Sequence, residues 1–284
     1  MKQLLCSMIN LGCGSLESSS SDFSAASGKG YELQMGRFSR LLAPKFLDLI
    51  EFGDSKNILD AGCGTGALTS EILRRTKTAN IVGIDISEAY VEYAARKNLD
   101  PRVSFKAADL NALPMAGETF DQVVSQLVLD FVPNTNVALS EISRVLKPGG
   151  RLAVAVWDAR GGLVFNRFFL DTAAMLDPEA NELRKKNFTR PLRRPGDLEK
   201  ALKSVGFAEV QSGEVHIRTE FASFEDYWSP FDGKDGPIPS YLSKQTAELK
   251  KQIKDAVRDA YLDGEVDGPR SYVATAWVAT GQRK

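Results

Sequence analysis

The chain has 284 residues, of which 43% are hydrophobic and 26% are charged. This composition is typical of a globular protein with a large core, and it excludes a coiled, fibrous or tail-like chain. Its 36 basic and 37 acidic residues leave a net charge of −1, so no overall positive field indicates nucleic acid or a membrane as the partner. The three cysteines show no metal-ligand spacing, and their odd number favours a reducing compartment. We therefore expect a cytoplasmic protein without a metal site.

Residues 1–30 differ from the rest of the chain in composition. Residues 15–30 are rich in Ser and Gly and contain few side chains that enter hydrophobic cores, so we predict a flexible leader over 1–30. The longest apolar runs, such as residues 152–157, are far shorter than the roughly 20 residues that a membrane-spanning helix needs. No membrane partner is expected.

From residue 31 onward, short apolar strands alternate with amphipathic helices. The pattern predicts strands at 57–59, 81–84, 103–107, 120–125 and 151–157, and helices at 39–50, 67–76, 88–97 and 137–146. The sequence KPGG at 147–150 ends the last of these helices. Alternation at this spacing predicts an α/β fold in which helices cover both faces of a parallel sheet.

Beyond residue 158 the alternation is interrupted. Residues 163–176 predict a Phe-rich helix, residues 184–203 hold eight Lys and Arg against two acids, and a helix at 197–205 and a strand at 207–221 follow. After an aromatic segment, Leu249, Ile253, Val257 and Tyr261 mark an amphipathic helix before a last strand at 271–280. We predict that segments 160–195 and 222–266 form a lid over a core of residues 31–159, 196–221 and 267–284.

A glycine-rich turn joins the first predicted strand to the helix that follows. Gly62, Gly64 and Gly66 in LDAGCGTG (59–66) allow a ligand to approach the backbone closely, and the next helix presents free N–H groups there. The spacing G-x-G-x-G differs from the G-x-G-x-x-G of dinucleotide folds, and no polyphosphate loop is present. A nucleoside without a phosphate chain therefore fits the pattern best, although such a turn can also be purely structural.

Two aspartates end the next two predicted strands. Asp85 can accept hydrogen bonds from both hydroxyls of a ribose, or it can cap the helix that follows Ser87. Asp109 can accept from the amino group of adenine while Leu110 packs against the ring, or it can be an ordinary turn residue.

Five motifs together resemble the class I S-adenosylmethionine-dependent methyltransferases, of the small-molecule kind similar to quinone-biosynthesis C-methyltransferases. They are LDAGCGTG (59–66), IVGIDIS (81–87), AADLNALP (107–114), FDQVVSQLVLDFVPN (120–134) and ISRVLKPGGRLAVAVWD (142–158). The resemblance implies a doubly wound, seven-stranded, mostly parallel sheet with a final antiparallel strand, which is a Rossmann-like methyltransferase fold. It also implies S-adenosyl-L-methionine as the cofactor.

The resemblance further implies roles for particular residues. The loop from Asp60 to Gly66 would hold the methionine part of the cofactor, Asp85 and Ile86 the ribose and adenine, Asp109 and Leu110 the adenine edge, and Gln126 the amino-acid end. Residues 31–40 look like a helix that closes over the cofactor, so that Arg37 pairs with the cofactor carboxylate or remains a surface charge. The implied cofactor-binding residues are Arg37, Asp60, Gly62, Gly64, Gly66, Asp85, Ile86, Asp109, Leu110 and Gln126.

The implied activity is methyl transfer from this cofactor to a small-molecule acceptor by in-line displacement. Positioning of the two reactants supplies most of such catalysis, so we expect no dedicated catalytic residue. If a general base is used, Asp130 and His216 are the candidates, although Asp130 can be a solvated loop acid and His216 a surface residue. Glu225, Tyr227 and Trp228 are candidates for lining the acceptor pocket or for the core of the lid.

Two other functions remain open at this point. The basic stretch at 184–203 is compatible with a methyltransferase that acts on RNA or another polyanion, although charge runs are usually solvated faces and a nucleic-acid partner is not favoured. A non-catalytic module that only binds the cofactor is the other alternative. The sequence gives no oligomeric state.

Overall fold

The computed structural model describes residues 32–234 and 236–284. The predicted leader at 1–30, with Cys6 and Cys13, lies outside the described residues. Within the described part of the chain, no helix is both long enough and apolar enough to cross a bilayer.

Seven strands form one sheet with the order β3-β2-β1-β4-β5-β7-β6. Strands β1 to β5 pair in parallel, whereas β7 lies antiparallel between β5 and β6. The strands are β1 (Asn57–Ala61), β2 (Asn80–Asp85), β3 (Val103–Ala107), β4 (Phe120–Gln126), β5 (Leu146–Trp157), β6 (Ala208–Phe221) and β7 (Arg270–Gln282). The expected doubly wound, mostly parallel seven-stranded sheet is therefore confirmed.

Helices connect the strands and cover the sheet. They are α1 (Arg37–Leu47), α2 (Ala67–Arg75), α3 (Glu88–Lys97), α4 (Thr135–Val145), α5 (Val164–Leu176), α6 (Pro178–Thr189), α7 (Asp197–Ser204), α8 (Phe224–Trp228), α9 (Pro237–Leu242) and α10 (Ala247–Leu262). One π-helical turn (Glu32–Gly36) precedes α1, and short 3-10 turns lie at Leu129–Phe131 and Ser229–Asp232.

Besides shifts of a few residues at other ends and short helices in the predicted lid, the structure differs from the predicted elements in two places. Strand β5 begins at Leu146 rather than at Arg151, because Leu146 already pairs with Phe120 before an irregularity in the register. Helix α6 occupies the first part of the basic stretch, where no helix was predicted. Its sequence is polar on most sides, and only Ala180 is buried among its residues, so the apolar periodicity that marks the other helices is absent.

Two hydrophobic layers pack against the opposite faces of the sheet. Because side chains alternate along a strand, Ile58 of β1 enters one layer and Leu59 enters the other. The layer of Ile58 includes Phe46 of α1 and the lid segments, and the layer of Leu59 includes Ile142 of α4. This arrangement brings the lid to the face of the sheet that α1 also covers.

The two segments predicted as a lid meet through aromatic rings. Phe169 of α5 lies 5.1 Å from Phe231 and 6.0 Å from Trp228, measured between ring centroids. Tyr227 of α8 stacks on Tyr261 of α10 at 5.1 Å. These rings are nearly or fully buried, so segments far apart in sequence form one packed layer.

We expect the substitution Phe169→Ala to destabilise the chain by about 3–5 kcal/mol, because it leaves a cavity among the rings of the lid. Denaturant unfolding measures this loss. The control is Met175→Ala on the same helix, whose side chain is 87% exposed and whose removal should change stability by less than about 0.5 kcal/mol. Equal losses for the two variants would contradict the role of the ring contacts.

Candidate active site

The glycine-rich loop adopts a conformation that few other residues tolerate. Gly62, Gly64 and Gly66 have φ angles of +85°, +52° and +84°, in the region that favours glycine. The backbone N–H groups of Gly62 and Cys63 donate to the carbonyl oxygen of Ile84 at 2.8 and 2.7 Å. A Cβ atom on Gly62 would collide with the side chain of Val128. The loop is therefore held tightly between the end of β2 and the segment after β4.

Asp85 connects this loop to the start of α3. Its Oδ2 accepts from the N–H of Gly64 at 3.0 Å, and its Oδ1 accepts from the N–H of Ser87 at 2.9 Å. The N-cap of α3 is Ser87, whose hydroxyl accepts from the N–H of Tyr90, and not Asp85. Burial raises the pKa of Asp85, although these two backbone bonds oppose the rise. Each carboxylate oxygen keeps a lone pair for a further donor.

Asp60 lies on β1 and is completely buried. Its Oδ2 accepts from the hydroxyl of Thr69 at 2.6 Å, while its Oδ1 has no hydrogen-bond partner among the described residues. Burial raises the pKa of Asp60 to about 7, and the negative charge of Asp85 adds to the rise. The chain thus keeps beneath the glycine loop an acid whose pKa lies well above that of a free aspartate.

A cavity of about 170 Å³ extends from the glycine loop into the lid. Seven of the ten residues predicted to bind a cofactor line it, namely Arg37, Gly62, Gly64, Asp85, Ile86, Asp109 and Leu110. The other three, Asp60, Gly66 and Gln126, do not line it. Asp60 and Gln126 are buried, and the amide nitrogen of Gln126 donates to the carbonyl oxygen of Ser39 at 3.1 Å.

Arg37 is the first residue of α1 and contacts the lid. Its Nη1 donates to Oδ1 of Asp226 at 3.0 Å, and its guanidinium lies 4.8 Å from the ring of Phe38 and 4.6 Å from that of Phe221. Its Nε and Nη2 are buried and have no hydrogen-bond partner among the described residues. Arg37 is therefore part of the cavity wall and is not simply a surface charge.

Asp109 and Leu110 lie side by side where the chain leaves β3. Oδ1 of Asp109 accepts from the N–H of Asn111 at 2.8 Å, which is a turn-stabilising bond. Both residues also line the cavity, and Leu110 is buried. Asp109 thus both stabilises the turn and lines the cavity.

The lid half of the cavity is mostly aromatic and aliphatic. It includes Phe165, Leu170, Leu183, Phe231 and Ile238. Of the three lid residues singled out in the sequence, only Tyr227 lines the cavity, and its hydroxyl donates to the carbonyl oxygen of Phe165 at 2.8 Å. Trp228 is buried in the lid, and Glu225 pairs with Lys254 at 3.1 Å near the surface.

Neither candidate base lines the cavity. Asp130 is not a solvated loop acid, because it is buried in an ion pair with Arg193 at 2.5 Å. His216 lies on the edge strand β6 with a half-exposed side chain, 3.4 Å from Glu214, as expected for a surface residue. Sequence reasoning missed Arg193 and Asn187, which do line the cavity. They belong to a charge run, and no local pattern marked them.

Replacing Asp60 should change stability in a pH-dependent way. An unfolded aspartate titrates near 3.8, and the folded chain holds the proton of Asp60 up to about 7. Between these values the folded state binds an extra proton, so the stability contributed by this group falls as pH rises and stays low above about 7. Asp60→Asn should therefore raise the free energy of unfolding at pH 8 by on the order of 2 kcal/mol, about half of the full shift, with little change at pH 4.

Thermal or denaturant unfolding at the two pH values measures this effect. Asp100→Asn serves as the control, because the guanidinium of Arg102 lowers the pKa of Asp100 and its loss should destabilise slightly at pH 8. An Asp60→Asn effect that is the same at both pH values would contradict the assignment.

Comparison with known proteins identifies the family of this arrangement. A family model described as "Methyltransferase domain" matches residues 59–154. A malonyl-[acyl-carrier protein] O-methyltransferase of Hahella chejuensis is 29% identical over 207 residues, which cover 67% of this chain and 74% of that protein. A ubiquinone/menaquinone biosynthesis C-methyltransferase UbiE of Syntrophotalea carbinolica is 39% identical over 117 residues, 40% of this chain and 48% of that protein. The matched region thus spans about half the length of the second relative.

A solved structure supports the fold. The putative methyltransferase BH2331 of Bacillus halodurans has a TM-score of 0.57 and 19% sequence identity, with 85% of this chain and 98% of that chain covered. The match to a methyltransferase domain agrees with the mixed seven-stranded sheet and with the glycine loop and its neighbouring aspartates. Residues 59–154 are a methyltransferase domain, the chain as a whole resembles the class I S-adenosylmethionine-dependent methyltransferases, and S-adenosyl-L-methionine is its cofactor.

Proposed function

We propose that the chain transfers the methyl group to a small, mostly apolar acceptor that the lid encloses, and that positioning supplies most of the catalysis. One observation carries this proposal: a single cavity joins the glycine loop to an aromatic chamber in the lid. Such a chamber suits an apolar small molecule, because pockets for such ligands are lined by hydrophobic side chains with few polar groups.

The residues that line the cavity beside the glycine loop fit the cofactor. Asp85 keeps lone pairs for the ribose hydroxyls, and Asp109 with Leu110 would meet the adenine. Arg37 has two buried donor nitrogens without a partner among the described residues, which suits the cofactor carboxylate. Asp60 carries an unpartnered oxygen behind the loop, and its negative charge would favour a cationic ligand nearby.

The shape of the cavity holds the acceptor and excludes water. The cofactor supplies a methyl group already activated on a sulfonium sulfur. The buried rings of Phe165, Tyr227 and Phe231 exclude water from the space beside it and hold the acceptor in place. Orientation of two reactants in this way can supply roughly 7–11 kcal/mol of a barrier. Because neither Asp130 nor His216 lines the cavity, the proposed mechanism uses no general base from these two residues.

The structure gives less support to a polyanion as the acceptor. Of the eight basic residues at 184–203, Arg190 and Arg193 are buried. Lys185 and Lys203 pair with Glu182 and Glu199 on the surface. The basic stretch therefore does not present all its charge on one face, as tracking of a phosphate backbone would require.

A covalent route through the cysteine of the loop is also not favoured. Burial raises the pKa of the Cys63 thiol well above its usual value, so the nucleophilic thiolate is scarce at neutral pH.

We expect Asp85→Ala to weaken the binding of S-adenosylhomocysteine by about 10- to 100-fold, or roughly 1.5–3 kcal/mol, because charge-assisted hydrogen bonds are lost. Titration calorimetry measures the dissociation constant. Asp85→Asn retains one acceptor oxygen and should lose less, which separates the effect of charge from that of loop distortion. Unchanged affinity of the Ala variant would mean that the ribose lies elsewhere.

The acceptor class is tested by turnover. The purified chain is incubated with S-adenosyl-L-methionine and either a panel of apolar small molecules or a mixed RNA, and S-adenosylhomocysteine is quantified by mass spectrometry. We expect product formation that depends on a small molecule and is absent with RNA. Transfer to RNA alone would reject the proposal, and cofactor binding without transfer to any acceptor would favour the non-catalytic alternative.

A further inference from the structure

A buried polar cluster forms part of the wall of the lid half of the cavity. Arg193, between α6 and α7, and Asp130, in the turn after β4, have side chains that are 3% and 1% exposed. Nε of Arg193 donates to Oδ2 of Asp130 at 2.7 Å, and Nη2 lies 2.5 Å from the same oxygen. Nη1 of Arg193 donates to the carbonyl oxygen and the Oδ1 of Asn187 at 3.0 and 2.6 Å. We call these three residues the Arg193 cluster.

The cluster fixes which end of the Asn187 amide faces Arg193 and which end is left for another partner. An arginine can only donate hydrogen bonds, so the amide atom of Asn187 that faces Arg193 must be the oxygen. The amide nitrogen Nδ2 then points away from the guanidinium. It is buried and has no hydrogen-bond partner among the described residues.

A second unpartnered donor lies on the same wall. Trp157, at the carboxyl end of β5, lines the cavity with only 4% of its surface exposed. Its Nε1 is buried without a hydrogen-bond partner among the described residues. Buried donors without partners are rare in folded proteins, and each one is costly unless a ligand or water satisfies it.

The unpartnered atoms on the cavity wall all have the same polarity. Among the described residues that line the cavity, the buried polar atoms without a partner are Nε and Nη2 of Arg37, Nε1 of Trp157 and Nδ2 of Asn187, and all are N–H donors. The unpartnered oxygen of Asp130 does not belong to a lining residue, because Asp130 lies behind Arg193. With Arg37 assigned to the cofactor carboxylate, Trp157 and Asn187 remain for the acceptor molecule.

We propose that the acceptor is an apolar molecule that carries an uncharged carbonyl oxygen, which accepts a hydrogen bond from Nδ2 of Asn187 or Nε1 of Trp157. This inference rests on the proposed function, because it names the substrate class for the same chamber. Among the buried unpartnered atoms of the described wall there is no oxygen that would accept from an ammonium group. A carboxylate beside Arg193 would meet a cation already neutralised by Asp130, and an uncompensated buried charge is strongly disfavoured. In this arrangement, Asp130 and Arg193 are positioning residues that orient Asn187.

The test uses the full chain saturated with S-adenosylhomocysteine and three probes of similar shape. The probes are 2-acetylnaphthalene with a ketone, 2-ethylnaphthalene without oxygen, and 2-naphthoate with a charge. We expect calorimetry to show that the ketone binds about tenfold more tightly than the ethyl compound, and that naphthoate binds no more tightly than the ethyl compound. Equal affinities, a preference for naphthoate, or no measurable binding of the ketone would overturn the proposal.

Two variants assign the effect to the named donors. Asn187→Leu and Trp157→Phe should each reduce the ratio by which the ketone binds more tightly than the ethyl compound. At least one of the two variants should reduce this ratio to threefold or less. The ethyl compound itself should bind both variants within twofold of its wild-type affinity. Asn181→Leu is the matched control on the same helix, because Asn181 contacts Arg184 and does not line the cavity. A ketone advantage that survives in both variants would also overturn the proposal.

The design separates this inference from the proposed function. A selective ketone site in a chain that methylates no small molecule would reject the proposed function and leave the carbonyl site standing. Methylation of small molecules by a chain that does not distinguish the three probes would reject the carbonyl site alone. Thermal unfolding checks each variant, and the comparison of probes in the wild-type chain decides the question even if a variant fails to fold.

Discussion

The contact between Asp85 and the glycine loop is the constraint on which the cofactor end of the cavity depends. One carboxylate joins the N–H of Gly64 to the N–H of Ser87, so the loop after β1 and the start of the helix after β2 keep a fixed distance. Only parallel neighbouring strands bring these two segments together at one edge of the sheet. The glycines then leave the ligand side of the loop free of side chains. This one connection therefore makes the loop end of the cavity rigid.

Contacts between aromatic rings stabilise the lid. Its helices are held by many ring contacts that converge on Phe169, Tyr227 and Tyr261. Large aromatic side chains bury much surface and prefer tilted or edge-to-face contacts. Of these three rings, Tyr227 also lines the cavity, so this side chain contributes both to the stability of the lid and to the apolar character of the chamber.

Two buried charged groups of the described chain differ in the partners that surround them. Arg193 is surrounded by the carboxylate of Asp130 and two oxygens of Asn187. Asp60 accepts a hydrogen bond from the hydroxyl of Thr69 alone among the described side chains, and burial raises its pKa. Burial of a charged pair seldom increases stability compared with apolar packing. The retention of such groups beside and beneath the cavity agrees with roles in ligand recognition.

The core of the fold was predictable from the sequence because its signals are local. Short apolar runs, helical spacing and the glycines at 62, 64 and 66 each act over a short stretch of chain. The observed helix α3 and strand β3 have the predicted ends, and seven of ten predicted cofactor residues line one cavity. Helix α6 could not be predicted in the same way, since its stability depends on neighbours from distant segments and not on an apolar stripe of its own.

The sequence by itself determined the alternating α/β core, the glycine loop and the aspartates at the strand ends, because these features follow from periodicity and backbone preference within a few residues. Only the tertiary structure decided that Asp130 is paired with Arg193 rather than solvated, that Arg37 contacts the lid through Asp226, and that Trp157 and Asn187 present donors to one chamber. These are contacts between residues as many as 189 positions apart, and burial, charge pairing and orientation of such groups arise only when the sheet and lid assemble.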